Sequence, residues 1–327
     1  MAIQTTQETQ TPNEDTAYPP CPLCRQLDVR LIRKGVRDDP DYPVYRCRQC
    51  DLQFISPPYD DIREYYRTEY RKEHDYDPDQ ALTPEQRFLT MRPLQDDSVK
   101  RFKEFVPEGA SVLDIGCSSG FFLDALGPEY DRFGCEWNPE DAAYVRDVGE
   151  LPCEEGGLLD IYPGQKFTAI CANQVIEHQT NPAQFLRDCK ERLIGGGYLY
   201  LETPSSRDAL LTIYGIEEYR DRWYRKPHIT YWNRETLAAA LGALAFEAKV
   251  MGTQRYGLLN HMNWLLGNGP MRDTQAAQMF LQPVSEQHPM AGIMNRGISR
   301  LDKEYRILLE SQGCNDTLIA KARRREI

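Results

Sequence analysis

From Ala110 onward, hydrophobic runs of strand length alternate with helical patterns, and this alternation restricts the fold more than any other feature. "SVLDIG", "RFGCEW", "FTAICAN", "GGYLYLETP" and "FEAKVMG" read as strands. "GFFLDAL", "PEDAAYVRDV", "NPAQFLRDCKERLI" and "RETLAAALGALA" read as the helices between them. Strands that alternate with helices run in one direction, which implies a parallel sheet covered on both faces. The expected fold is α/β, with a doubly wound domain over 109–257. From 258 to 327 the sequence reads as a mainly helical, polar extension. Its end, "KARRREI", is expected as a short, solvated basic helix tail with no nucleic-acid role.

The loop Gly116-Cys117-Ser118-Ser119-Gly120 follows the first strand and opens a helix, where doubly wound folds bind their ligands. It lacks the Lys-Ser/Thr ending of a phosphate-cradling P-loop. Its GxSxG spacing is a poor dinucleotide fingerprint. Nor is it a hydrolase nucleophile elbow, in which the serine follows a later strand and needs downstream Asp and His partners. Asp114, just before the loop, suits a cationic ligand group and is foreign to an anion site.

Four of the ten cysteines form two CxxC pairs, Cys21/Cys24 and Cys47/Cys50, separated by 22 residues. Two such turns supply a closed, tetrahedral, all-thiolate site that suits structural zinc. "DVRLIRK" and "YPVYRC" between the pairs read as short strands, with Asp38-Asp39-Pro40-Asp41 as the turn. A zinc ribbon is expected over 19–58, after a polar, disordered tail at 1–18. The remaining cysteines lack ligand spacing and read as small buried hydrophobes. A helical linker or lid is expected over 59–108. Tyr65, Tyr66 and Tyr70 stud its first helix, and Thr83, Pro84 and Glu85 fit the start of another.

The motifs together resemble a known family. "VLDIGCSSGFFL" is similar to the cofactor loop of class I S-adenosylmethionine (SAM)-dependent methyltransferases, usually written [DE]xGxGxG, with Ser118 in place of the middle glycine. The resemblance covers roughly Ala110 to Gly252 and implies a Rossmann-like methyltransferase sheet. It implies cofactor contacts at Asp114, Gly116, Cys117, Ser118 and Gly120. It also implies that Glu136 accepts both ribose hydroxyls, as a carboxylate can for a vicinal diol, and that Asn173 lies near the methionine portion. "VIEHQTNP", "LETP" and "KPHITYWNRETL" resemble small-molecule methyltransferases. The paired CxxC followed by "DLQFISPP" resembles a zinc-ribbon subgroup of them.

The sulfonium of SAM already activates the methyl group, so the protein must mainly align the acceptor and remove its proton where needed. A histidine suits the second task. His228, beside Trp223, Tyr224 and Tyr231, is the first candidate for the base and His178 the second. Glu177 beside His178 could equally order a loop. His261 fits helix packing, and His74 and His288 read as exposed loop residues.

The net charge of -11 disfavours a general nucleic-acid binder. No run approaches the length of a membrane span, and the N-terminus lacks the apolar core of an export signal, which points to the cytoplasm. The expected acceptor is a small molecule, such as a nucleotide-linked sugar or natural-product intermediate. "EEYRDRWYRKPHITYW" would line its pocket, and Arg222, Arg225 and Lys226 would face anionic groups. Two alternatives stand beside this. In one, an RNA or protein methyltransferase reads its substrate through Arg25, Arg30, Arg33 and Lys34 of the ribbon. In the other, the chain is a non-catalytic SAM-binding interaction module. Acceptor atom and oligomeric state are open.

Overall fold

The computed structural model describes residues 18–37, 39–56, 62–71, 82–271 and 290–326. Most of the expected tail, Asp38, Pro57-Pro58, His74 and His288 lie outside the described residues.

A seven-stranded sheet forms the body. Its spatial order is β10 (Phe246–Thr253), β11 (Thr317–Arg324), β8 (Leu193–Pro204), β7 (Phe167–Asn173), β4 (Ser111–Ile115), β5 (Asp131–Glu136) and β6 (Cys153–Glu155). Strands β8, β7, β4, β5 and β6 are parallel, and β11 is antiparallel to both neighbours. The central strands are buried on both faces, so Leu113, Ile170, Ala172, Leu199 and Leu201 are fully enclosed. The crossover helices include Phe121–Leu126, Pro139–Asp147 and Pro182–Arg192. Asn138 and Asn181 cap the last two through their side chains, each with Pro at the first position. The expected α/β sheet is therefore present.

One element departs from expectation. The stretch after 258 does carry helices, at Leu258–Leu265 and Ala291–Ser311, but its basic end is β11 and not a helix. Eight residues, Thr317 to Arg324, pair with β10, and seven of them pair with β8. Leu318, Ile319, Ala320 and Ala322 are buried. Without β11, both β8 and β10 would expose a row of unpaired backbone groups.

The cysteine region forms a second sheet. β1 (Val29–Arg33) and β2 (Val44–Cys47) make the expected antiparallel pair, and β3 (Gln53–Ile55) follows. Its fourth strand, β9 (Thr230–Tyr231), comes from the main domain, between β8 and the helix Arg234–Ala243. In the linker, Thr83 caps the helix Pro84–Met91 in a full capping box, but the reciprocal partner is Gln86 and not Glu85.

Candidate active site

The carboxyl ends of β4, β5 and β7 bring the sequence-derived residues together. Gly116 (φ +68°), Ser118 (+51°) and Gly120 (+79°) all adopt left-handed backbone, which turns the chain sharply from β4 into its helix. At Gly116 a Cβ would come within 3.0 Å of Val175, so the turn after β7 lies directly against this loop. Ser118 tolerates its conformation because its N–H donates to Glu136 Oε2 at 2.9 Å. The other oxygen, Oε1, accepts from the Asn138 N–H at 2.9 Å. Glu136 thus locks two loops and keeps a further lone pair on each oxygen.

Asp114 is buried at the end of β4, and burial, reinforced by nearby Glu136, raises its carboxyl well above the ordinary range. Two buried acids at adjacent strand ends favour a cationic or hydroxyl-rich ligand. Asn173 adds a second indication: its side chain is half-buried, yet both its polar atoms are shielded from solvent and lack a hydrogen-bond partner, as does Ser119 Oγ. A buried unsatisfied amide is costly. These groups fit SAM, with Glu136 for the ribose diol and Asn173 near the methionine end. Cys117 can contribute only its backbone. Its thiol points into the core, 3.7 Å from Cys153 Sγ.

The linker helix Ile62–Thr68 and the turn after it cross the mouth of this site. Arg71 donates to Ser118 Oγ at 2.8 Å and pairs with buried Asp141 at 2.8 Å. Tyr66 Oη lies 2.6 Å from His178 Nδ1. Sequence reasoning singled out the tyrosines but not Arg71, because nothing in a charged helical stretch marks which cation folds inward.

Glu177, His178 and His228 converge, with one polar atom of each within 4.8 Å of the others. His178 Nδ1 lies 2.7 Å from the carbonyl of Pro227. A carbonyl only accepts, so the contact is a hydrogen bond when Nδ1 carries the proton; the Tyr66 hydroxyl then accepts at the same nitrogen, and Nε2 carries the basic lone pair of the neutral ring. That Nε2 is 3.9 Å from Glu177 Oε1. Glu177 is buried and accepts from Thr203 Oγ1 at 2.9 Å; burial raises its carboxyl to about 7. His228 has the opposite arrangement. Its Nε2 is 2.7 Å from Arg225 Nη2 and 3.2 Å from Arg225 Nε, and a guanidinium only donates. The Nε2 lone pair of His228 is therefore engaged, whereas the Pro227 carbonyl and the Tyr66 hydroxyl both meet His178 at Nδ1.

His261 lies apart. It contacts Gln254 and Tyr305 in a buried network, and burial lowers it to about 4, in keeping with a packing role. Of the 222–226 segment, Arg225 contacts His228. Lys226 lies 4.0 Å from Asp39.

The four cysteines also converge. Cys21 and Cys50 sulfurs are 3.6 Å apart, and those of Cys24 and Cys47 are 3.5 Å apart. Sulfurs tetrahedrally placed at about 2.3 Å from zinc are separated by about 3.8 Å. The set therefore fits a closed zinc site with no position for substrate. The neighbouring Cys50 thiol pulls Cys21 below the ordinary thiol range.

Comparison with known proteins shows the family. The sequence family described as a methyltransferase domain matches residues 62–248. The ubiquinone biosynthesis O-methyltransferase of Cereibacter sphaeroides is 28% identical over 172 residues, covering 48% of this chain and 67% of the relative. The enzyme of that name from Caulobacter vibrioides is 29% identical over 130 residues, covering 36% and 50%. A SAM-dependent methyltransferase structure from Archaeoglobus fulgidus superposes with a TM-score of 0.48 at 19% identity, covering 73% of this chain and 97% of that one.

Proposed function

Because this chain belongs to the methyltransferase-domain family and is a SAM-dependent methyltransferase, we propose that it methylates a hydroxyl of a small-molecule acceptor, with His178 as the base. SAM, when bound, supplies an electrophilic methyl group on a sulfonium. Glu136 and Ser118 hold the ribose side, and Asn173 offers its unsatisfied amide to the methionine side. The observation that carries the assignment of the base is the 2.7 Å contact from His178 Nδ1 to the Pro227 carbonyl. It leaves Nε2 as the basic atom, one short turn from Asn173 and the Gly116 loop. As Nε2 takes the acceptor proton, an ionised Glu177 stabilises the resulting imidazolium. Transfer of the methyl to oxygen breaks the S–CH3 bond and leaves the thioether product neutral. The relatives named as O-methyltransferases support oxygen as the acceptor atom.

His228, expected first as the base, fits a supporting role better. Arg225 must release its Nε2 before that atom can accept a proton, and an anionic group on the acceptor would draw Arg225 away. Zinc in the ribbon belongs to the same proposal. The macromolecular reading loses support in the ribbon, where Arg33 is committed to Asp221 at 2.6 Å and the β3 edge is covered by β9.

The test is transfer from labelled SAM to a panel of hydroxylated small molecules and to RNA. Methylation of a hydroxylated compound with more than a 100-fold loss in His178→Asn, and little change in S-adenosylhomocysteine affinity, is the expected result. Labelling of RNA alone, or normal turnover by His178→Asn, would overturn it.

A further inference from the structure

The four-cysteine module and the proposed base are joined by a continuous set of hydrogen bonds. The Cys47–Cys50 turn leads into Asp51 and β3. Asp51 Oδ2 accepts from Asn233 Nδ2 at 2.7 Å, and the Cys50 carbonyl accepts from Thr236 Oγ1 at 2.7 Å. Ile55 N–H donates to the Ile229 carbonyl at 2.9 Å, within the β3–β9 pairing of Phe54 with Thr230 and Gln53 with Tyr231. Tyr224 Oη donates to Gln53 Oε1 at 2.7 Å, and its carbonyl accepts from the Arg37 N–H at 2.8 Å. The 224–236 segment is thus tied to the ribbon at both ends and in its middle.

That segment contacts both histidines, while Tyr66 meets His178 from the linker side. It carries Pro227, whose carbonyl sets the His178 tautomer, and Arg225, which engages His228. Thr230 Oγ1 also donates to the Ile176 carbonyl at 3.2 Å, joining β9 to the turn that holds His178. The segment has little regular structure of its own: β9 is two residues long, and β3 is its strand partner. A two-residue strand depends on its partners for register, and here β3 acts together with the bridge from Trp232 to Ser205 in the main domain.

We propose that the four-cysteine module is a positioning device for proton removal. Asp51 and β3 hold the 224–236 segment so that the Pro227 carbonyl keeps the His178 lone pair on Nε2, and metal on the four thiolates rigidifies this support. The inference rests on His178 as the base. It assigns the ribbon an intramolecular role in the reaction rather than recognition of a macromolecule.

The experiment uses the full chain. Zinc is removed with a chelator and restored, while backbone hydrogen exchange is followed at His228, whose N–H donates to the Arg225 carbonyl, and the His178 ring nitrogens are observed by 15N NMR. Asp51→Ala, with zinc content measured, is the second arm and spares the metal ligands. Zinc removal is expected to speed His228 exchange and to change the His178 nitrogen shifts, reversibly. Asp51→Ala is expected to lower kcat about 10- to 100-fold with zinc and S-adenosylhomocysteine affinity retained. Unchanged exchange and ring shifts in the zinc-free protein would overturn the inference. So would normal kcat in zinc-replete Asp51→Ala, or an equal loss of cofactor affinity in that variant. Failure of the His178 assignment is read separately, from turnover in His178→Asn.

Discussion

Glu136 and Ser118 are joined by a 2.9 Å hydrogen bond from the serine N–H to the carboxylate, which holds the cofactor loop in left-handed backbone. The same carboxylate is the only acid at the end of β5. Glu136→Ala is therefore expected to remove a diol acceptor and to loosen the loop together. S-adenosylhomocysteine affinity should fall by about 10- to 100-fold by calorimetry, consistent with the strength of charge-assisted hydrogen bonds. Glu136→Gln keeps one acceptor oxygen and should lose less. Unchanged affinity in both variants would contradict the assignment.

Glu177 gives a pH signature. Its folded value of about 7 lies above the ordinary 4.5 because burial disfavours the anion. The folded protein therefore keeps a proton that the unfolded chain loses. The associated stability is present below about 4.5 and is lost as pH rises through about 7. Glu177→Gln should stabilise the fold more at pH 8 than at pH 5, by on the order of 1–3 kcal/mol, measured by chemical unfolding at both values. Turnover should fall in the same variant, and the rise of wild-type kcat through neutral pH should flatten.

Zinc content follows from four converging thiols. Elemental analysis is expected to give about one zinc per chain. Cys47→Ser should lose the metal and expose the ribbon to proteolysis, while S-adenosylhomocysteine still binds at Glu136. A metal-free protein with a protease-resistant ribbon would refute the zinc assignment.

The C-terminal strand is open to a stability test. Ile319 is fully buried in β11, so Ile319→Ala should cost about 2–5 kcal/mol by denaturant titration. Ile307 is half exposed on the preceding helix, and Ile307→Ala should change stability by about 0.5 kcal/mol or less. Equal effects would argue against β11 as part of the main sheet.

Much of the protein was legible in local sequence. Alternating strand and helix periods determined the parallel sheet, because each element must bury its own apolar stripe wherever its partners lie. The small residues of 116–120 and the acids Asp114 and Glu136 marked the candidate site at the sheet edge, since few side chains tolerate that backbone and few ligands suit buried acids. The CxxC spacings marked the cysteine cluster for the same kind of short-range reason. The remaining features depend on partners distant in sequence. "TLIAKARR" became a strand because β8 and β10 each needed an antiparallel neighbour, a demand that its own basic composition does not reveal. Thr230 and Tyr231 joined the ribbon sheet because β3, 176 and 178 positions earlier at the paired residues, supplied the missing backbone partner. The proposed order of the two histidines also rests on tertiary contacts, a carbonyl against His178 and a guanidinium against His228. A ring's available lone pair is set by whether its neighbour accepts or donates, and only tertiary structure chooses that neighbour.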